Sequence, residues 1–156
     1  MIKTLDRISH ILRSNVNEVL DRLEDPEKMV RQMVRDMEAA VDRAVGAVST
    51  AVADQRRLAK EKAATRERIE NMHAKATRAL ERGDEALARQ ALARKVVLEE
   101  TLAGIEPALH QGQQTVEDLR AKLSMLRDDL RDAQNRQGAL IARLRNARRV
   151  DEQHAD

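Results

Sequence analysis

Side chains that could do chemistry are present, but they are scattered. The four histidines are His10, His73, His110 and His154, and a metal site needs several ligands at short, fixed spacing, as in two histidines one helical turn apart. No two of these are so placed, and they read as solvated surface groups. The adjacent carboxylates Glu99-Glu100 and Asp128-Asp129 lie among Arg and Lys, where no cleft is expected to separate their proton affinities, as an acid/base pair requires. The five glycines, at positions 46, 83, 104, 112 and 138, are isolated and cannot form a phosphate-cradling loop. Cysteine is absent, which removes disulfides, thiolate ligands and thiol nucleophiles and fits a reducing compartment. The run Arg143, Arg145, Arg148 and Arg149 could touch phosphates, although cations near a helix C-terminus are favoured by the helix dipole alone. The expectation is a protein without catalysis, metal or cofactor.

The elements that would have to position such groups explain why none is gathered. The 156-residue chain has no Phe, Tyr or Trp and is 36% charged, so it lacks the side chains that supply the largest buried areas in a globular core. Its apolar content is Ala, Leu, Val, Ile and Met, which suit helix-helix seams. Basic and acidic residues, 29 and 27, are mixed along the whole length. That mixture leaves no basic face for nucleic acid.

From Val30 an apolar seam runs through Val34, Met37, Val41, Val48, Leu58 and Ile69 to Ala79 in alternating steps of four and three, broken only by Gln55, Lys62 and Thr65. Asp25-Pro26-Glu27 is a helix start: a capping carboxylate, a proline suited to the first turn and an acid at the positive end of the dipole. Around positions 82–85, Gly83 suits a C-terminal cap and Asp84 an N-cap. A second seam then passes from Ala91 through Leu98, Leu102, Leu109, Leu119, Leu126 and Leu130 to Ala147. Two matched seams joined by a short turn fold antiparallel. The fold class expected is all-α: a long coiled-coil hairpin over 26–150, a tail at 151–156, and arms roughly 85 to 95 Å long at about 1.5 Å per residue. Pro107 is expected to kink the second arm, and Gln55 facing Gly112 to leave one layer thin. Val45, Val52, Leu92, Val97 and Ile141 lie off the seam and are expected to be exposed, marking association surfaces.

Residues 1–23 form a separate pattern. On a helix, Met1, Ile2, Leu5, Ile8, Leu12, Val16, Val19, Leu20 and Leu23 share an arc roughly 120° wide, with Lys3, Asp6, Arg7, His10, Arg13, Ser14 and Asn17 outside it and Ile11 the one apolar exception. This is the amphipathic pattern of a helix lying in a membrane interface, with Lys3, Arg7 and Arg13 toward anionic headgroups. No stretch is long and apolar enough to cross a bilayer, and the N-terminus lacks the pattern of a secretory signal. The expected location is the cytosol.

The segment Glu24-Asp25-Pro26-Glu27-Lys28-Met29-Val30-Arg31-Gln32-Met33, followed by Asp36-Met37-Glu38, resembles the start of the first long helix in phage shock protein A and the vesicle-inducing protein in plastids. The resemblance continues through Ala86-Leu87-Ala88-Arg89-Gln90-Ala91-Leu92-Ala93-Arg94-Lys95 and Asn135-Arg136-Gln137-Gly138-Ala139-Leu140-Ile141-Ala142-Arg143. It implies membership of the bacterial branch of the ESCRT-III superfamily. By that resemblance the chain should bind the cytoplasmic face of the inner membrane through its N-terminal helix, polymerise through its hairpins, and maintain or remodel membrane under stress. The alternative it implies is a regulatory module that binds and restrains an AAA+ transcriptional activator. Members of the family usually continue into further short helices that pack across neighbouring subunits, so contacts made by those helices are expected to be missing or replaced in a chain ending at Asp156. Some relatives also have a nucleotide pocket with an arginine where Val45 aligns; Arg43 is near but on another face, and nucleotide hydrolysis is not expected to carry over.

Overall fold

The computed structural model describes residues 25–155, which form two helices and no strand: α1, Pro26–Glu81, and α2, Glu85–His154. The chain is an all-α helical hairpin. Residues 1–23, the expected amphipathic element, lie outside the described residues.

The helix ends follow from local chemistry. At the start of α1, the Asp25 side chain accepts a hydrogen bond from the Lys28 amide at 3.1 Å, satisfying one otherwise orphaned first-turn donor, while its carbonyl accepts the first intrahelical bond, from Met29. At the end of α1 the Gly83 amide donates to the Leu80 carbonyl and the Asp84 amide to the Ala79 carbonyl, at 3.1 and 2.9 Å. These paired bonds close the helix by a left-handed residue, and Gly83 has φ +76°. Asp84 at once caps α2 by accepting from the Leu87 amide at 3.1 Å. The reversal therefore takes only three residues.

A Cβ at position 83 would meet no atom within 4 Å, leaving the backbone conformation as the obstacle to substitution. Gly83→Ala should cost about 1 kcal/mol, the strain of a left-handed alanine. Reversible chemical denaturation followed by circular dichroism checks this, and an unchanged midpoint would show that the turn relaxes to another geometry.

α2 runs unbroken through Pro107. The missing proline amide deprives only the carbonyl one turn earlier, at Ala103, and both residues are exposed, so water can supply the partner. α2 also extends beyond the expected end at 150: no Gly or Pro intervenes, and His154 Nδ1 donates to the Val150 carbonyl at 2.9 Å.

The described chain divides into two packing units, residues 25–46 with 120–155, and residues 47–119. The first holds the core cluster of Val30, Met33, Val34, Met37, Ala133, Leu140 and Leu144, with Met29 and Leu130 packed against it. Leu140 and Leu144 are each 1% exposed. In the second unit the fully buried hydrophobic residues are mostly small, Ala76, Ala79, Ala88 and Ala91 with Ile105 and Val116, while the larger seam residues are half-buried. Alanine lets backbones approach but removes less apolar area per layer.

Candidate functional site

Each proposed seam residue has a definite place. Val34 and Met37 are buried, while Val41, Val48, Leu58, Ile69, Leu98, Leu102, Leu109, Leu119, Leu126 and Leu130 are half-buried. The polar interruptions also point inward. Lys62 is half-buried and its ammonium lies 3.9 Å from Glu106, a carboxylate it shares with Arg66 at 3.3 Å; its aliphatic stem can line the seam while the charge stays at the edge. Thr65 is buried, and no buried side-chain polar atom among the described residues lacks a partner. Gln55 and Gly112 are both half-buried.

Polar contacts between the helices record the register. In the first unit Arg145 donates to Glu27 at 2.8 Å and Gln134 to Glu38 at 3.4 Å. In the second, besides Glu106, Lys95 Nζ donates to His73 Nδ1 at 3.1 Å. These contacts sit at the exposed edges of the seam, where an ion pair is worth at most about 1 kcal/mol. They fix which residues face each other more than they hold the helices together.

His10 lies outside the described residues, and among the described residues the other histidines do not come together. His73 is taken up by Lys95, His110 lies beside Gln114 on its own helix, and His154 bonds its own backbone. Among the described residues no group of three or more His, Asp or Glu could hold a metal. Of the basic run, Arg145 pairs with Glu27 while Arg143, Arg148 and Arg149 are exposed. Val45 and Arg43 are both exposed.

What the surface does carry is unpartnered apolar area. Val45, Leu92 and Val97 are exposed, as the pattern implies, and Leu80 and Val96 join them at more than half exposure. Leu92 and Val96 are one turn apart on α2, and Val97 lines an adjacent groove with Met72, Ala93 and Leu98. Arg68, Gln90 and Arg94 line the same groove, so the exposed apolar side chains there are interspersed with polar ones. Sequence reading passed over Leu80 and Val96; their signal was position outside the heptad, the same one that marked Leu92.

Two residues depart from expectation. Ile141 is buried, at 9% exposure, and Val52 is half-buried. Ile141 follows the buried Leu140 and lies one turn before Arg145, on the edge carrying the Glu27 ion pair, where long side chains can cover it.

Comparison with known proteins agrees with this architecture. The model of the PspA/IM30 family matches residues 3–153. The chain is 34% identical to the membrane-associated protein Vipp1 of Nostoc punctiforme, over 92% of this chain and 55% of that protein. It is 32% identical to the phage shock protein A homolog of Deinococcus radiodurans, over 91% of this chain and 64% of the relative. It is also 32% identical to protein LiaH of Bacillus subtilis, over 92% and 64% respectively. The chain thus spans between half and two thirds of the length of these relatives.

Proposed function

The chain belongs to the PspA/IM30 family, and from that premise we propose that it is a non-enzymatic peripheral membrane scaffold, in which residues 1–23 hold the bilayer surface and the hairpin associates with further copies of itself. The observation that carries this reading is the apolar arc of residues 1–23, with Met1, Ile2, Leu5, Ile8, Leu12 and Val16 toward lipid and Lys3, Arg7 and Arg13 toward anionic headgroups. No described helix is long and apolar enough to cross a membrane, which is consistent with surface attachment. The relatives named membrane-associated support the same class. Its place would be the cytoplasmic face of the inner membrane.

The exposed side chains of Leu80, Leu92, Val96 and Val97 supply the surface for self-association. A contact between two different patches, repeated from copy to copy, grows into a ring or a rod instead of closing as a dimer. Polymerised on lipid, hairpins would stiffen or reshape the bilayer.

Vesicle flotation tests the membrane reading. The full chain should float with vesicles containing phosphatidylglycerol and not with purely zwitterionic ones. Binding should weaken as salt rises from roughly 0.05 to 0.5 M, because the electrostatic share is screened and no aromatic residue is available as an anchor. Absence from the anionic vesicle fraction at low salt would contradict the proposal.

A further inference from the structure

One cluster of charge takes no part in pairing the helices. Lys75, Arg78 and Arg82 follow one another at steps of three and four, and the Arg82 amide still donates to the Arg78 carbonyl at 3.2 Å, so the helical path holds across all three and gathers them within an arc of roughly 60°. All three are exposed, and with the buried Ala79, the half-buried Leu87 and Asp84 they line one cleft of about 530 Å³ at the hairpin turn. No described carboxylate forms an ion pair with any of them. The Asp84 carboxylate accepts from the Leu87 amide as the cap of α2, and Arg78 Nε donates to the Ala74 carbonyl of its own helix at 3.4 Å. Three cations thus stand against one carboxylate, in a chain whose 29 basic and 27 acidic residues are nearly balanced. The groove lined by Met72 and Gln90 carries Arg68 and Arg94 with no acid at all. The dipole of α1 favours cations in its last turn only, which accounts for Arg78 and Arg82 and leaves Lys75 unexplained. Like charges three and four residues apart on a helix repel one another, so the grouping costs stability unless an anion sits among them.

We propose that the cleft at the hairpin turn is a binding site for a phosphate-bearing anion, held by Lys75, Arg78 and Arg82. Each guanidinium presents a planar set of N–H donors that matches phosphate oxygens two at a time, and the lysine ammonium adds a compact charge. A volume of about 530 Å³ falls within the roughly 300 to 1,000 Å³ of small-molecule sites, which is room for a phosphorylated molecule and more than a bare ion needs. The phosphoryl group is the chemistry recognised, whether it arrives on a soluble compound or on a lipid headgroup. The site lies on residues apart from the arc of residues 1–23, and it holds whether or not that arc binds a membrane.

Isothermal titration calorimetry of the full chain with pyrophosphate, in metal-free buffer at about 0.05 M salt where exposed charges are little screened, tests the site. The heat should saturate at one pyrophosphate per chain. Arg78→Gln with Arg82→Gln should weaken binding at least about tenfold, since two charge-assisted contacts are lost. Arg148→Gln with Arg149→Gln removes the same charge from exposed positions of α2 and should change binding less than about twofold. Glutamine is a good helix former, so both variants keep the hairpin, which circular dichroism verifies. The source of the phosphate is separated by flotation of the chain carrying Ile8→Glu with Leu12→Glu. Recovery with phosphatidic acid vesicles that Arg78→Gln with Arg82→Gln abolishes would identify a lipid headgroup, and absence of flotation alongside intact pyrophosphate binding would identify a soluble phosphate compound. No saturable heat with pyrophosphate, or an equal loss in the two paired variants, overturns the proposal and leaves the three cations as a solvated face.

Discussion

Leu140→Asp should destabilise the hairpin by on the order of 4 kcal/mol, since it removes a fully buried leucine and places a carboxylate where no partner is available. Leu140 is 1% exposed and sits in the cluster with Val30, Val34, Met37 and Leu144. Part of the cost is the lost apolar transfer and the cavity, and the rest is desolvation of the charge. The same substitution at Leu119, half-buried in the second unit, should cost less because water can reach the new carboxylate. At Val97, 60% exposed, it should stay within about 0.5 kcal/mol. Urea titrations of the three variants by circular dichroism give the ordering directly. Equal midpoints for Leu140→Asp and the parent would mean that the seam is not what holds the helices together.

The second large effect concerns lipid. Ile8→Glu with Leu12→Glu places two carboxylates in the centre of the arc, removing buried apolar area and setting negative charge against anionic headgroups. Flotation with phosphatidylglycerol vesicles should fall to background while the helical signal of the hairpin remains. Undiminished flotation would move the membrane contact to another part of the chain.

The hairpin was legible because its information is local and periodic. Alternating steps of four and three from Val30 to Ala79 and from Ala91 to Ala147 leave a helical seam as the consistent reading, and Asp25, Gly83 and Asp84 each carry a turn preference that the observed hydrogen bonds use. What escaped sequence reading depends on neighbours. Ile141 looked exposed because heptad assignment treats every off-seam position alike, whereas its burial depends on the residues along that one edge. Pro107, expected to kink the second arm, lies inside α2 at an exposed position, and the helix continues past it. The residues proposed to face the membrane, from Met1 to Val16, precede the described helices, and their assignment stands on the sequence pattern.

Scaffolding requires that the chain both bind lipid and assemble there, which is most directly observed by electron microscopy of the full chain mixed with phosphatidylglycerol vesicles, alongside light scattering of the chain alone across a concentration series. The account predicts that particle mass grows with concentration and that vesicles carry a regular coat or are drawn into coated tubes. Bare vesicles, together with a monomer or dimer of constant mass at every concentration, would contradict it.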